Sequence, residues 1–341
     1  MEKVRIGLVG CGLFGESHLQ AYRAVRHAEI AAVFDTDAER ARLIAAEFNI
    51  PKIAKSVEEI CADPTLHAID VVTPEQTHLD PVTLALENKK HVFVEKPLAL
   101  DLDHCAQMIA AAGTAGRALM VGQILRFETK YAMVKDEIAS GRLGKVVSMH
   151  ARRNRPKTLL PRYGRTHPAL ENCIHDIDLM LWYTGAKVKR VRGYGRSATG
   201  SKHHDVFWGI LEFENDALGV VETIWLTPQA AGLMLDDSMQ VVGDKGIANV
   251  QLVPGSLTYW RESGCETPDV CYDPRVAGSA RGALRDELAY FCDCVLDNRM
   301  PQVITAPEAM AAVQVALALV ESAHTDQAID LRETGTQSRH V

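Results

Sequence analysis

The sequence predicts an α/β protein in two parts: an N-terminal doubly wound parallel sheet, and a C-terminal α+β domain with a large, open, mostly antiparallel sheet. The length of 341 residues suits two domains at about 150 residues each. Continuous apolar strands alternate with helical segments up to about residue 122, and beyond residue 123 the hydrophobic period changes to two. We therefore predict one domain over residues 1–122 and a second over residues 123–341.

The first part contains alternating strands and helices. Strands are predicted at residues 4–9, 30–34, 68–72, 91–94 and 119–122, and helices at 17–26, 38–48, 77–88 and 103–112. A strand buried on both faces of a parallel sheet is an unbroken apolar run, which residues 4–9 (VRIGLV) approach. Strand–helix–strand order with short connections predicts a parallel sheet with right-handed crossovers.

The second part contains fewer helices and longer alternating strands. We predict helices at 130–139, 170–184, 281–296 and 307–323, strands at 145–153 and 329–331, a charged loop at 154–167, and antiparallel strands between 187 and 259. The strands near residues 206–213 and 217–226 carry apolar residues in both alternating sets. Such strands predict that another subunit covers the second face of the sheet, in a homodimer or homotetramer.

Composition excludes several function classes. Lys and Arg total 37 against 44 Asp and Glu, a net charge of −7, so no basic field is present for a nucleic-acid partner. The chain enters an apolar strand without a charged leader, and its most apolar stretch, 309–320, is interrupted by Gln314 and short for a bilayer. Eight scattered cysteines lack metal-ligand spacing. We predict a soluble, cytoplasmic protein with reduced thiols, no membrane contact and no metal site.

A glycine-rich loop follows the first strand. Gly10, Gly12 and Gly15 fit the pattern G-x-G-x-x-G, with Leu13 and Phe14 between the last two glycines. In this pattern the first glycine permits a tight turn, the second lets the backbone approach a pyrophosphate, and the third lets helix and strand pack closely. The helix N-terminus then presents free N–H groups to the phosphates. The alternative is an ordinary tight turn.

An acidic residue ends the second predicted strand. Asp35 stands 20 residues beyond Gly15, where a carboxylate can accept hydrogen bonds from the adenosine ribose. A 2′-phosphate would meet Asp35 and Asp37, and the next basic residue is Arg40. This pattern predicts NAD rather than NADP as cofactor; the alternative is that Asp35 caps the next helix.

Ligands of open α/β sheets bind at the carboxyl ends of the strands, where two further segments lie. Thr73 and Pro74 end one strand and His78 begins the next helix, while Glu95, Lys96 and Pro97 end the neighbouring strand. A desolvated lysine can exchange a proton with a substrate hydroxyl. From spacing alone, a catalytic Lys96 and a surface Lys96 paired with Glu95 are equally good interpretations.

The helix predicted at 170–184 carries a polar stripe. Glu171, His175 and Asp178 have spacings of four and three residues, which place them on one face. A histidine beside a carboxylate is suited to proton exchange near neutral pH. From the sequence alone, a solvated stripe is the commoner explanation.

Taken together, these motifs resemble the Gfo/Idh/MocA oxidoreductase family, which includes glucose–fructose oxidoreductase and inositol 2-dehydrogenase. The resemblance rests on GCGLFG (10–15), Asp35, TPEQTH (73–78), VEKPLAL (94–100), VGQILRF (121–127) and IHDIDLMLW (174–182). It covers nearly the whole chain and implies an N-terminal Rossmann domain. It also implies that Lys96 lies beside the nicotinamide and the reacting hydroxyl, in a turn that is often cis in relatives.

The resemblance implies roles for further residues. His175 and Asp178 match the polyol dehydrogenases of the family, whereas Glu171 replaces the family's aspartate, which leaves the substrate open. Asn154 and Arg153 correspond to a region that contacts polyol hydroxyls, and Arg126 would position the substrate beside the cofactor. The remaining residues assigned to the cofactor site are Thr73, Pro74, His78, Glu95 and Gln123.

These assignments predict an NAD-dependent dehydrogenase that oxidises a secondary hydroxyl of a cyclitol, sugar or sugar derivative by hydride transfer to nicotinamide C4. His175 takes the hydroxyl proton and Lys96 binds the same oxygen, or the two exchange roles. The alternatives are a redox-neutral glycosidase that uses NAD, and a regulatory protein that senses NAD or a sugar. The basic loop at 154–167 would suit an anionic substrate group, although a solvated loop is the better interpretation.

Overall fold

The computed structural model describes residues 3–253 and 257–332. The chain forms two compact units, one from residues 1–127 with 272–310 and the other from residues 128–271 with 311–341. Each unit therefore combines two separate segments of the chain. The domain boundary after residue 122 assumed continuous segments and stays a prediction.

The first unit is built on a six-stranded sheet. Its strands are β1 (Val4–Val9), β2 (Ala28–Phe34), β3 (Lys52–Ile53), β4 (Ala68–Val71), β5 (His91–Glu95) and β6 (Leu119–Gly122). Its helices include α1 (Leu13–Tyr22), α2 (Ala38–Phe48), α3 (Val57–Ala62), α4 (Leu79–Glu87) and α5 (Leu102–Ala115), with 3₁₀ turns at Glu75–Thr77 and Ile124–Phe127. The order β3-β2-β1-β4-β5-β6, with every pair parallel, confirms the doubly wound sheet.

Side-chain caps account for several helix starts. Asp37, Ser56 and Asp101 accept backbone N–H bonds at the starts of α2, α3 and α5. The prediction that the first helix runs over 17–26 is wrong at both ends, because α1 ends at Tyr22 and begins at Leu13. Gly12 is extended there and the glycine loop turns directly into the helix. The strand β3 and the helix α3 were too short to be recognised from periodicity.

The second unit contains the larger sheet. In chain order it has α6 (Thr129–Ala139), β7 (Val146–Asn154), α7 (Leu160–Tyr163), α8 (Ile174–Thr184), β8 (Val188–Arg196), β9 (Val206–Phe213), β10 (Leu218–Ile224), β11 (Asp236–Gly243), β12 (Ile247–Val253), β13 (Tyr259–Arg261) and β14 (Gly264–Glu266). Next along the chain, β15 (Arg275–Val276), β16 (Ser279–Ala280) and α9 (Ala283–Leu296) belong to the first unit. The helix α10 (Ala306–Thr325) begins in the first unit and continues into the second after Met310, and β17 (Ile329–Asp330) joins the larger sheet. The order β12-β11-β7-β10-β9-β8-β17 is antiparallel except between β7 and β10, which confirms the mostly antiparallel sheet.

One face of this sheet presents apolar side chains. Along β9 buried residues alternate with exposed ones, and Trp208 and Ile210 are among the exposed. Tyr194 and Leu218 on the neighbouring strands are exposed as well. The prediction that both faces carry apolar residues therefore agrees with the structure, and the oligomer that would cover the exposed face stays a prediction.

The helix α10 is longer than the sequence suggested. It has 20 residues, and its most apolar window has a mean hydropathy of 1.2, so by length and composition alone it could cross a membrane. However, 61% of that window is buried inside the protein. A core helix of a globular domain has the same properties, so this single helix is weak grounds for a membrane span.

Candidate functional site

Three glycines shape the turn between β1 and α1. Gly10 has a φ of 104°, and a Cβ there would lie 2.5 Å from the carbonyl oxygen of Val72. A Cβ at Gly15 would collide with the carbonyl oxygen of Gly10, whereas one at Gly12 would meet no atom within 4 Å. Gly10 and Gly15 are therefore required by the turn itself, and Gly12 leaves open space in front of the helix N-terminus.

The carboxylate of Asp35 holds this loop. One oxygen accepts the N–H of Cys11 at 2.6 Å and the other accepts the N–H of Asp37 at 2.8 Å. Arg40 donates to the carbonyl of Cys11 and to Glu16 at 2.7 and 2.8 Å. Because its guanidinium is committed to these partners, Arg40 is poorly placed to receive a 2′-phosphate.

Two polar side chains near the strand ends carry buried atoms that lack hydrogen-bond partners among the described residues. Gln123 follows β6 and is 1% exposed. Within the described residues, neither its amide oxygen nor its amide nitrogen has a hydrogen-bond partner, and the Thr73 hydroxyl also lacks one. Buried polar groups are normally paired, so these atoms suit a polar ligand. At the N-terminus of α1, Leu13 and Phe14 are exposed and offer apolar surface. These features fit a bound NAD.

His78 connects two of these strand-end loops. Its Nε2 lies 3.1 Å from the carbonyl oxygen of Thr73, and its Nδ1 lies 3.1 Å from that of Pro97. Burial lowers the pKa of His78, although the carbonyls of Thr73 and Leu98 act in the opposite direction. The side chain is 1% exposed and holds the two loops together, and the cofactor contact of His78 stays a prediction.

Lys96 lies at the carboxyl end of β5, and its side chain is half-buried. Its N–H donates to Glu95 Oε2 at 3.1 Å, and the Lys96–Pro97 peptide is cis, as expected from the resemblance. The carboxylate of Glu95 is buried beside His18 of α1. No sequence pattern had singled out His18, because its partners lie far along the chain.

Arg126 has a different environment from the predicted one. It is 3% exposed, and its guanidinium donates to the carbonyl of Val303 at 2.7 Å and to Glu308 at 3.2 Å. Burial and these partners give Arg126 a structural role in the first unit. The positioning of a substrate by Arg126 stays a prediction.

In the second unit, the polar stripe lies across a change of helix type. Residues Ala169–Cys173 form a π-helical turn that continues into α8, and such turns are frequent at functional sites. Glu171 precedes the change, and His175 follows it and is half-buried. Glu171 and Asp178 are buried. The stripe is therefore not a solvated helix face, which was the commoner interpretation from sequence alone.

Arg153 belongs to a buried network of two arginines and two aspartates. It donates to Asp176 at 2.8 and 3.0 Å and to Asp237 at 2.7 Å. Arg155 donates to Asp237 as well. Burial raises the pKa of Asp176, which the charge of Arg153 opposes. Arg153 is 1% exposed and holds α8 against β7 and β11, and the substrate contact expected from the resemblance stays a prediction.

Asn154 is similarly engaged within the sheet. Its amide nitrogen donates to Glu222 at 3.2 Å and to Asp236 at 3.3 Å, and its oxygen accepts the N–H of Ile224 at 2.9 Å. Along β7 Arg152 is partly exposed and Arg153 is buried, because successive side chains of a strand point to opposite faces. The structure thus places Glu171, His175 and Asp178 on one continuous helical segment, and it gives Asn154 protein partners.

Three histidines outside the predicted site have ring nitrogens within 4.8 Å of one another: His167, His204 and His324. The N–H of Ala169 donates to Nδ1 of His167 at 3.1 Å. The proton of neutral His167 is therefore on Nε2, which lies 3.1 Å from Nδ1 of His204. Burial, reinforced by the neighbouring histidines, lowers the pKa of His167. This tautomer suits a hydrogen-bonded pair, because a metal ligand needs an unprotonated nitrogen.

Two family models match most of the chain. The model described as the oxidoreductase family with NAD-binding Rossmann fold, GFO_IDH_MocA, matches residues 4–123. The model of the GFO/IDH/MocA C-terminal domain matches residues 131–249. The first match confirms the Rossmann fold and NAD as the cofactor.

Individual relatives extend these matches. An inositol 2-dehydrogenase of Acidothermus cellulolyticus is 31% identical over 225 residues, 64% of this chain and 65% of that protein. An NAD⁺-dependent scyllo-inositol 2-dehydrogenase of Bacillus subtilis is 27% identical over 340 residues, 96% of each chain. The crystal structure of a scyllo-inositol dehydrogenase from Lactobacillus casei with NAD(H) and scyllo-inositol has a TM-score of 0.83 at 20% identity, over 97% of this chain and 100% of that one. At that identity the likeness concerns the fold.

Proposed function

Because this chain belongs to the Gfo/Idh/MocA oxidoreductase family, we propose that it is an NAD-dependent dehydrogenase that oxidises a secondary hydroxyl of a cyclitol or sugar. The observation that carries the proposal lies in the first unit. There a glycine loop with open space at Gly12, unsatisfied polar atoms on Gln123 and Thr73, and Lys96 all belong to the carboxyl ends of one parallel sheet. Ligands of such sheets bind at that edge.

The relatives support a cyclitol as the first substrate to test, because the named ones are inositol dehydrogenases. Glu171 is one methylene longer than the aspartate expected from the family resemblance and would place its carboxylate differently by about one ångström. We therefore propose a ring polyol whose hydroxyls are contacted by Glu171. Arg155, the first base of the 154–167 loop, is committed to Asp237, so an anionic substrate has less support.

In the proposed mechanism, NAD when bound supplies the hydride acceptor at nicotinamide C4. His175 accepts the proton of the reacting hydroxyl as a general base. Asp178, buried one helical turn further along α8, stabilises the imidazolium that results. Lys96 donates a hydrogen bond to the same substrate oxygen and stabilises the developing alkoxide.

A screen for NAD reduction tests the proposal. The purified protein is given myo- and scyllo-inositol, aldoses and sugar acids, and absorbance at the reduced nicotinamide band is followed. Lys96→Ala and His175→Ala are each expected to lower kcat by about 10²–10⁴-fold. The matched controls are Lys55→Ala and His104→Ala, whose side chains lie outside the site on exposed surface.

The outcomes separate the candidate functions. Turnover that both site variants lose and both controls keep supports the dehydrogenase and names its substrate. Absence of turnover, with NAD bound after purification, would instead favour a redox-neutral hydrolase or a sensor. Wild-type rates in Lys96→Ala and His175→Ala would contradict the residue assignments.

We further propose that the exposed sheet face carrying Trp208 and Ile210 joins subunits in a homodimer or homotetramer. The double variant Trp208→Glu/Ile210→Lys is expected to lower the molar mass measured by light scattering to that of a single chain. An unchanged mass would contradict this use of the face.

A further inference from the structure

A buried histidine of the first unit lies between two carboxylates. His18 of α1 has its Nδ1 2.8 Å from Asp70 of β4 and its Nε2 3.3 Å from Glu95 of β5. The side chains of His18 and Asp70 are fully buried, and that of Glu95 is 10% exposed. Three separate elements therefore meet at one imidazole ring, at a point inaccessible to solvent.

The surroundings of the ring favour its charged form. Burial lowers the pKa of His18, but the charge of Asp70, the hydrogen bond of Asp70 with the ring at 2.8 Å and the nearby carboxylate of Glu95 outweigh it and raise the pKa to about 10. The rings of Phe14 and Phe93 pack edge-on against the imidazole, with centroids 5.0 and 5.7 Å away. The two carboxylates thus favour an imidazolium at this position, and the two aromatic rings pack against it.

The far end of this arrangement is the backbone of Lys96. One carboxylate oxygen of Glu95 lies near His18, and the other accepts the N–H of Lys96 at 3.1 Å. The Glu95 carboxylate also has little room, because a Cβ at Gly122 would lie 2.5 Å from its Oε1. The carboxylate of Glu95 therefore links the ring of His18 to the backbone N–H of Lys96.

We propose that His18 is a positioning residue for Lys96: Asp70 orients His18, His18 fixes the carboxylate of Glu95, and Glu95 fixes the backbone of Lys96. This inference rests on the proposed function, in which the Lys96 ammonium binds the reacting oxygen. Misplacement of a reacting group by about 1 Å can cost about 100-fold in rate. The contact between His18 and Glu95 should accordingly matter more for turnover than the contact between His18 and Asp70.

Two substitutions separate these contacts. In His18→Gln the amide can place a donor near the position of Nε2, facing Glu95. In His18→Asn the donor lies near the position of Nδ1, facing Asp70. We expect His18→Asn to lower kcat by about 100-fold and His18→Gln to keep at least about a tenth of it. His104→Asn, at a partly exposed histidine on α5, is the matched control.

A second readout does not depend on turnover. The rate at which an amine-reactive reagent labels Lys96 in the folded full-length protein is followed by peptide mass spectrometry, with Lys55 as the internal standard. His18→Asn is expected to change the labelling rate of Lys96 at least about threefold, while His18→Gln and His104→Asn leave it near wild type. Melting temperatures of all variants show whether they are folded at the assay temperature.

The outcomes distinguish this inference from the proposed function. Equal kcat in the two His18 variants, or Lys96 labelling that follows the melting temperature alone, overturns the positioning role. A wild-type protein that turns over no polyol overturns the proposed function, and the labelling ranking then decides the positioning role by itself. A lower kcat in His18→Asn together with altered Lys96 labelling supports the role.

Discussion

Replacing Arg153 should test the buried network that holds α8, the helix that carries His175. The Arg153 side chain is 2% exposed and donates to both Asp176 and Asp237. Arg153→Met keeps much of the side-chain volume and removes the charge. Asp237 retains Arg155, so Asp176 loses the most, and its side chain is 1% exposed.

The expected magnitude follows from this burial. Removing one partner of a buried ion pair costs about 3–5 kcal/mol, because the other charge stays desolvated. That is a large share of the roughly 5–15 kcal/mol that stabilises a typical protein. The adjacent Arg152 is a matched control, since its side chain is 39% exposed and pairs with Asp236 at 2.9 Å. Arg152→Ala should cost only about 0–1 kcal/mol.

Urea unfolding followed by circular dichroism measures both variants. The deficit of Arg153→Met should be smaller near pH 4 than at pH 7. Burial already raises the pKa of Asp176, and the pKa should rise further without the charge of Arg153. The variant therefore keeps its stability while the Asp176 carboxyl is protonated and loses it as pH rises and the carboxyl ionises. The double variant Arg153→Met/Asp176→Leu should recover part of the loss. If Arg153→Met unfolds within about 1 kcal/mol of Arg152→Ala, the network does not stabilise the fold as argued.

Three further predictions concern the first unit. His18, with a pKa of about 10, should give imidazolium signals in NMR spectra at pH 8. His91 should be neutral at that pH, because burial and the charge of Arg117 lower its pKa to about 4. The free energy of unfolding that His18 contributes should be lost as pH rises from about 6.5 to about 10. Asp35→Ala should weaken NAD binding about 10- to 100-fold in calorimetric titrations and NADP binding far less. Gly15→Ala should cost about 1–3 kcal/mol of unfolding free energy through its collision with Gly10, whereas Gly12→Ala should leave stability nearly unchanged and weaken NAD.

Each of these predictions has a contradicting result. A neutral His18 at pH 8 would mean that burial outweighs its two carboxylates. Unchanged NAD affinity in Asp35→Ala would refute the ribose contact, and Asp37→Ala is its control because Asp37 caps α2. Full NAD affinity in Gly12→Ala would mean that no phosphate approaches that backbone.

The fold and the cofactor could be predicted from the sequence because their signals are local. Each signal is contained in a short stretch of sequence: an unbroken apolar run, an alternation of apolar and polar residues, or the glycine spacing from 10 to 15. They indicated both sheets, the turn at Gly10 and the use of NAD. The catalytic roles of Lys96 and His175 were predicted from the family resemblance. Spacing alone was equally consistent with a surface lysine, and it favoured a solvated helix face for His175.

Only the tertiary structure decided which polar residues are available to a ligand. His18 and Asp70 are 52 residues apart, and Arg153 and Asp237 are 84 apart. No periodicity indicates such pairs, so neither the buried ion pairs of Arg153 nor the contacts of His18 could be predicted from the sequence. The sequence shows the same residue type whether the side chain faces solvent or a buried carboxylate. Its role is determined by the partners that folding brings to it, because desolvation makes an unpaired charge costly.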